Sequence, residues 1–445
     1  MTSPLASRFD GLVRAGLAAL ALIAVSLAAT PASATRIQKV TSPKGIEAWL
    51  VEEHAIPLVA FQFSFLGGST QDPQGKEGLA NLVSSLIDEG AGDLDSQAFQ
   101  TRLEELAVEM HFSDDRDRFN GSMKTLSEHT DAAVDLLAMA LARPRFEAEA
   151  IERMRVQTIA GLRRSAKNPE SVAGRLWSAT VFPGHPYGRA AEGTEATVGA
   201  IVRADVVDFH QRVFTRKGLK ISVVGDIDAA RLGPMLDRMF GDLPAEGRLT
   251  EVAKVEAATG RTASAVLAVP QATIQFGGVG ILRADPDFIP AYVMNHILGG
   301  GGFSAWLHTE VREKRGLAYS IGTGLSAYAK GAAFVGSVGT SADKVEETLA
   351  LIRTEIARMR DTGPSAEELA AAKAFLIGSY PLRFDTSEKI AGALLAMQVD
   401  DLGIDYIDKR NGLIEAVTLD DVKRVAKRLF SEPLDVVVVG PEAKK

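Results

Sequence analysis

The chain has 445 residues, of which 46% are hydrophobic and 24% are charged, and its formal net charge is −8. This composition is typical of a globular protein of about two or three domains and excludes extensive disorder. An acidic chain without a basic patch argues against nucleic acid as a partner. Because the chain has no cysteine, it can form neither a disulfide nor a lipoprotein linkage.

Residues 1–34 are predicted to be a secretory signal peptide. Arg8 and Arg14 provide positive charge, an apolar run spans residues 15–29, and the small residues 32–34 suit a signal peptidase. Cleavage before Thr35 would give a periplasmic protein. The alternative is an uncleaved membrane anchor, but the run is short for a spanning helix, and no later stretch is apolar enough to insert. We therefore expect no stable membrane insertion of the mature chain.

The following segments predict strands and helices in one domain. Residues 58–66 (LVAFQFSFL) alternate three phenylalanines with polar residues, which predicts a strand buried on one face only. Residues 77–89 have leucine and valine at helical spacing. In the second half, residues 341–360 and 365–380 also predict helices.

The two halves of the chain resemble each other. Residues 201–214 (IVRADVVDFHQRVF) match residues 417–430 (VTLDDVKRVAKRLF), and an apolar strand ending in glycine follows each segment. Two more pairs match, GSMKT at 121–125 with GSVGT at 336–340 and SVAGRL at 171–176 with KIAGAL at 389–394. Solenoid repeats are about 20–50 residues long, so copies this far apart indicate a duplicated domain.

The polar residues 243–263 are predicted to link the copies, because they contain Pro244, Gly247 and Gly260. The sequence thus predicts an N-terminal domain over 35–242 and a C-terminal domain over 264–445. Each domain is expected to be of the α+β class, with an antiparallel-rich β-sheet covered on one face by helices.

Three strings in the same order carry a family resemblance. They are FLGGSTQDPQGKEGLANL at 65–82, FPGHPYGRAAEGTEATV at 182–198 and NHILGGGGFSAWLHTEVREKRGLAYS at 295–320. Over nearly the whole mature chain the sequence is similar to the pitrilysin (insulinase) family of inverzincin metallopeptidases. It most resembles the short-chain, two-domain branch that includes mitochondrial processing peptidase, and within it the partner subunit that lacks the zinc motif.

Active members of this family carry H-x-x-E-H directly after a Gly-Leu-Ala tripeptide, and its two histidines hold zinc beside the glutamate base. Here the corresponding positions include Asn81, Ser84 and Ser85, and the third ligand of the family falls near Gly161. Amide and hydroxyl groups cannot replace these ligands, so the resemblance implies a degenerate site that binds no metal and supplies no catalytic group. The remaining histidines, including His308, are predicted to be structural or exposed.

The resemblance also implies a retained substrate-binding pair, Arg312 and Tyr319, within VREKRGLAY. Gly316 is expected to close the helix that begins near Ser304, and Tyr319 to begin the next strand. A guanidinium and a phenol can both donate hydrogen bonds to a peptide carbonyl. On spacing alone, a charge at a helix end and a buried strand residue are the favoured explanation of the pair, because arginine and tyrosine are common.

A flexible glycine loop near the substrate chamber is the other feature that the resemblance implies, at Gly299, Gly300, Gly301 and Gly302. A phosphate-binding loop is the competing interpretation, but the lysine that such a loop needs does not follow.

The resemblance implies a division of labour between two subunits. This chain would bind peptide substrate with Arg312 and Tyr319 and be inactive alone, while a zinc-bearing homologous subunit completes a heterodimeric metalloendopeptidase. One alternative is a non-catalytic peptide-binding or scaffold protein that acts as a homo-oligomer. Another is a hydrolase with Ser84 or Ser85 as nucleophile, for which no histidine motif offers a base.

Overall fold

The computed structural model of the chain describes residues 36–442. The predicted signal peptide lies outside the described residues. Within them, no helix is both long and apolar enough to cross a membrane. The chain folds into two mixed β-sheets with helices packed against them, which confirms the predicted α+β class.

The first sheet has six strands in the order β1-β2-β6-β3-β5-β4. β2 and β6 run parallel, whereas β6, β3, β5 and β4 pair antiparallel. The strands are β1 (Gln38–Thr41), β2 (Glu47–Glu52), β3 (Leu58–Leu66), β4 (Glu109–Asp114), β5 (Arg118–Leu126) and β6 (Lys220–Gly225).

The second sheet has five strands in the order β7-β11-β8-β10-β9. β7 and β11 run parallel, and the remaining pairs are antiparallel. The strands are β7 (Thr262–Val266), β8 (Gln271–Val279), β9 (Ala318–Ala327), β10 (Ala332–Ser341) and β11 (Asp435–Gly440). Strand by strand this order reproduces the first sheet without β1, so the structure bears out the internal repeat.

The helices of the two halves complete this pattern. In the first half they are α1 (Leu79–Ser84), α2 (Ser96–Glu105), α3 (Thr130–Ala142), α4 (Ala148–Ser165), α5 (Pro169–Val181), α6 (Glu195–Gly199), α7 (Arg203–Val213) and α8 (Ala229–Phe240). In the second half they are α9 (Phe288–Asn295), α10 (Val345–Asp361), α11 (Ala366–Gly378), α12 (Ser387–Val399), α13 (Tyr406–Glu415) and α14 (Leu419–Leu429). The repeated segments noted in the sequence form α7 and α14, which occupy equivalent places in their halves.

The same close contact recurs at equivalent points of the two sheets. Gly121 on β5 lies opposite Phe63 on β3, and Gly336 on β10 lies opposite Phe276 on β8. A Cβ atom at either glycine would lie 2.2 Å from the facing phenylalanine ring. Each glycine therefore leaves space for a buried ring, which explains why GSMKT and GSVGT match in the sequence.

The halves exchange one helix each. α5 belongs to the first half but packs on β8 and β11 of the second sheet, where Trp177 and Val181 belong to the same buried cluster as Val437 and Val439. Asn168 caps its start by accepting a hydrogen bond from the Ser171 amide at 2.8 Å. The two exchanged helices contain the matching segments of the sequence, because residues 171–176 lie in α5 and residues 389–394 lie in α12.

α12 makes the reciprocal contact with β3 and β6 of the first sheet. The Ser222 hydroxyl donates to the carbonyl of Ala391 at 2.7 Å, and the Gln398 side-chain amide donates to the carbonyl of Ile221 at 2.8 Å. Ser64 on β3 is fully buried, and its hydroxyl accepts a hydrogen bond from Nε of Arg118 at 2.6 Å. The prediction that β3 is buried on one face only is therefore wrong, because a distant helix covers its polar face.

Two predicted boundaries also shift. The helix predicted over residues 77–89 ends at Ser84 and continues as turns. Part of the predicted linker 243–263 is fixed against the second half, because the Val255 amide donates to the carbonyl of Lys330 at 2.8 Å. The last residues of the predicted linker, 262 and 263, form the start of β7.

Candidate functional site

The degenerate metal position lies on α1, whose first turn is held by a buried carboxylate. Asp72 accepts hydrogen bonds from the amides of Gly78, Leu79 and Ala80 at 2.8, 3.2 and 2.9 Å. Gly78 itself has a φ of +93°, a conformation that favours glycine. Burial raises the pKa of Asp72 to about 8. The oxygens of the Asp72 side chain are therefore engaged by the amides at the start of α1.

The side chains at the ligand positions make local hydrogen bonds. The Ser84 hydroxyl donates to the carbonyl of Asn81 at 2.8 Å, and the Ser85 hydroxyl donates to that of Leu82 at 2.8 Å. Such bonds back to the preceding turn use the hydroxyl hydrogen. Asn81 points its amide nitrogen toward the Asp114 carboxylate, 3.4 Å away.

No donor set for zinc exists at this position. Gly161, at the place of the third ligand, lies on α4 and contributes no side chain. Among residues 36–442, no group of three or more histidine, cysteine, aspartate or glutamate side chains could hold a metal ion. Burial raises the pKa of Asp114 to about 6. Catalytic zinc needs three protein ligands, so the residues present do not fit the metal that the family resemblance implies for active members.

Arg312 and Tyr319, the predicted substrate-binding pair, lie on either side of the turn that joins the helical residues 306–313 to β9. The segment passes through a π-helical turn at His308–Glu313 and closes at Gly316, whose φ is +61°. The Gly316 amide donates to the carbonyl of Arg312 at 2.9 Å. Tyr319 then lies near the start of β9, an edge strand of the second sheet. The predicted helix closure and strand start are both confirmed.

Arg312 and Tyr319 are in contact. The Arg312 guanidinium lies 5.4 Å from the ring centroid of Tyr319 and 5.4 Å from that of Phe303, so it is flanked by two aromatic rings. In the described part of the chain no carboxylate forms an ion pair with it. Tyr319 is 83% exposed. The site thus presents an unpaired cation beside an accessible phenol, two hydrogen-bond donors for a carbonyl or carboxylate.

A buried histidine fixes the arginine from behind. Nε2 of His308 lies 3.0 Å from Nη1 of Arg312, and His308 is only 6% exposed. Because a guanidinium can only donate, Nε2 must accept, which places the imidazole hydrogen on Nδ1. That atom lies 3.7 Å from the Glu313 carboxylate, too far for a hydrogen bond.

The sequence predicts His308 to be a structural or surface residue, and it does not identify Phe303. The i, i+4 spacing of His308 and Arg312 is the signal that could have linked them. Phe303 gave no comparable signal, because its contact with Arg312 depends on the turn that follows the glycines.

Three of the four glycines are packed closely, and the fourth adopts a left-handed conformation. A Cβ atom at Gly299 would lie 2.5 Å from Thr323, one at Gly300 would lie 2.5 Å from Asn295, and one at Gly301 would lie 2.6 Å from the carbonyl of the preceding turn. Gly302 has a φ of +60°. The first three glycines leave no room for side chains, whereas Gly302 supplies a backbone conformation that side chains disfavour. The flexibility of this loop stays a prediction.

Comparison with known proteins agrees with this geometry. The family profile described as Insulinase (Peptidase family M16) matches residues 50–195, and the profile described as Peptidase M16 inactive domain matches residues 200–376.

The chain belongs to peptidase family M16.

Within M16, the chain is similar to proteins with and without an assigned peptidase activity. It is 27% identical over 358 residues to a protein of Helicobacter pylori named Non-peptidase homolog YmxG, a match that covers 80% of this chain and 82% of that protein. An uncharacterized zinc protease of Mycobacterium leprae is 25% identical over 325 residues, which is 72% of this chain and 73% of that protein.

Solved M16 structures share the fold. The structure described as peptidase M16 inactive domain from Pseudomonas fluorescens has a TM-score of 0.85 and 27% identity, and covers 92% of this chain and 99% of its own. A protease from Helicobacter pylori has a TM-score of 0.82 at 18% identity, covering 92% of this chain and 100% of its own. Together with the replaced ligands, these findings make the chain similar to inactive, non-peptidase members of M16.

Proposed function

We propose that this chain is the non-zinc subunit of a heterodimeric M16 metalloendopeptidase. In this proposal it binds peptide substrate through Arg312 and Tyr319, and a homologous sister subunit carries zinc and the catalytic base. The predicted signal peptide would place the heterodimer in the periplasm. Alone, the chain would hydrolyse no peptide.

One observation supports this proposal above the others. The metal position has lost every ligand, whereas Arg312 is still flanked by two rings, backed by His308 and left without a carboxylate partner in the described residues. An unpaired guanidinium held in place costs desolvation free energy. An arginine with a purely structural role would lose less free energy if it formed an ion pair, such as the one that Arg315 makes with Glu310 at 2.7 Å. The arrangement favours a ligand that accepts hydrogen bonds.

In this proposal Arg312 and Tyr319 act on the substrate through hydrogen bonds and charge. The planar guanidinium can donate two hydrogen bonds to a substrate carbonyl and so orient the peptide. The Tyr319 hydroxyl can donate to the oxygen that gains negative charge when a peptide carbonyl is attacked. Loss of one such donor typically costs about 3 kcal/mol in the transition state, which is roughly a hundred-fold in rate.

The test is a peptidase assay with and without a sister subunit that carries H-x-x-E-H. The isolated chain with added zinc should give no turnover, and the mixture should give turnover. In the mixture, Arg312→Ala and Tyr319→Phe should each lower kcat/KM roughly a hundred-fold. The matched control Arg315→Gln removes a charge from the same turn and should leave the rate unchanged. Turnover by the isolated chain, or a wild-type rate with R312A, would refute the proposal.

A peptide-binding scaffold is the second candidate, and the position of β9 favours it. This strand lies at the edge of the second sheet and pairs only with β10 among the described strands, so an extended peptide could add to it. In a homo-oligomeric scaffold, R312A would leave peptide retention unchanged and no sister subunit would be needed. Purification of the native protein with whatever accompanies it distinguishes the two: a zinc-bearing homologue supports the heterodimer, and a self-association product supports the scaffold.

A further inference from the structure

A cavity of about 460 Å³ lies in the second half, between α9, the turn Tyr380–Arg383, α12 and α13. This volume is within the usual range of small-molecule sites, about 300–1,000 Å³. Neither Arg312 nor Tyr319 belongs to the described lining. The cavity is therefore separate from the site of the proposed function.

Aromatic rings form much of the wall. The lining includes three of the six tyrosines of the chain, together with two phenylalanines. These residues are Phe288, Tyr292, Tyr380, Phe384 and Tyr406. Tyr380 and Phe384 meet edge to face, with ring centroids 4.9 Å apart. Walls of this kind bind a flat ring by stacking and edge contacts.

Three arginines also line the cavity, and only one of them is neutralised. Arg283 forms an ion pair with Asp400 at 3.2 Å. Arg383 is exposed, and its one hydrogen bond to the described residues is a long contact of 3.5 Å to the Tyr292 hydroxyl. The third, Arg410, is only 5% exposed. With Asp400 matched to Arg283, the lining keeps two positive charges.

Arg410 is a buried cation in the wall of the cavity. Its Nη1 donates to the carbonyl of Leu376 and to the side chain of Asn411, both at 3.2 Å. The guanidinium stacks on Tyr380 at 3.9 Å from the ring centroid. Its Nε and Nη2 make no hydrogen bond to the described residues, and no carboxylate there pairs with it. A buried, unpaired cation at a cavity wall is costly unless an anion occupies the cavity.

We propose that this cavity binds an aromatic carboxylate, with the ring among the tyrosines and the carboxylate between Arg383 and Arg410. A guanidinium fork matches a carboxylate in geometry and charge, which accounts for the two arginines without acidic partners. The ligand has two sources with this chemistry, the C-terminal aromatic residue of a peptide and a free aromatic acid.

Titration calorimetry on the full mature chain tests the proposal with three small ligands. N-acetyl-L-phenylalanine carries both ring and carboxylate, N-acetyl-L-phenylalaninamide lacks the charge, and N-acetyl-L-alanine lacks the ring. The first should bind at least about ten-fold more tightly than the other two, the size expected for one charge-assisted hydrogen bond. A pentapeptide that ends in phenylalanine distinguishes the sources: equal binding supports a peptide terminus, and exclusion of the peptide supports a free acid.

Variants separate the site from general charge effects. R410Q and R383Q should each weaken binding of N-acetyl-L-phenylalanine about ten-fold. R353Q removes an exposed arginine from α10, outside the cavity, and should leave binding unchanged. If R410Q fails to fold by circular dichroism, R383Q and Phe384→Leu carry the test. Equal affinity for acid and amide, no binding heat at millimolar ligand, or unchanged affinity in R383Q would overturn the proposal.

Discussion

The exchanged helices make a quantitative prediction for Trp177→Ala. Trp177 is 7% exposed and packs from α5 onto the second sheet. An indole of this kind buries on the order of 200 Å², which at about 25 cal/mol per Å² corresponds to about 5 kcal/mol. Large-to-small core changes of this type typically cost about 3–5 kcal/mol. We expect a loss of about 3–5 kcal/mol in the free energy of unfolding.

Urea denaturation followed by circular dichroism measures this loss, because the signal does not depend on the removed indole. Leu395→Ala is the matched change on α12, where Leu395 is 9% exposed, and should cost about 2–4 kcal/mol. Val156→Ala is the control, since Val156 is 58% exposed on α4 and should change stability by less than about 0.5 kcal/mol. A loss below about 1 kcal/mol in W177A with an unchanged denaturant slope would refute the packing argument.

Three further predictions follow from the same structure. Gly336→Ala should cost about 1–3 kcal/mol in thermal or urea denaturation, because the new methyl group meets the Phe276 ring, whereas Gly378→Ala, which meets no atom within 4 Å, should not destabilise. Burial raises the pKa of Asp114 above its unfolded value, so wild-type stability should fall by about 2 kcal/mol relative to Asp114→Asn as pH rises from about 4 to about 6; urea midpoints that show no such divergence would contradict this. In the assembled peptidase, His308→Leu should lower kcat/KM about ten-fold because Arg312 loses its acceptor, and His308→Gln should recover most of the rate; equal rates for the two variants would refute the positioning role.

Local patterns in the sequence predicted the elements that local physics determines. The phenylalanine alternation gave β3 its bounds, the repeated segments became α7 and α14, and Gly316 adopts the left-handed conformation that closes its turn. These features depend on side-chain periodicity and on backbone conformations that are available within a few residues.

Contacts between distant segments could not be predicted in this way. The burial of Ser222 depends on α12, whose Ala391 lies 169 residues later, and no period in the strand reveals it. The early end of α1 has a different cause, because Ser84 and Ser85 donate to carbonyls of their own turn while the apolar pattern continues. The role of His308 required knowing that its imidazole turns inward, toward Arg312.

The exchange of α5 and α12 also constrains the order in which the chain can mature. The first sheet has all its strands once β6 has been synthesised, but the hydroxyl of Ser222 has no Ala391 carbonyl to bind until residues 387–399 are made. A fragment that ends after β6 would therefore expose the face of the first sheet that α12 covers in the full chain. Each sheet therefore reaches its full packing only when the helix from the other half is in place.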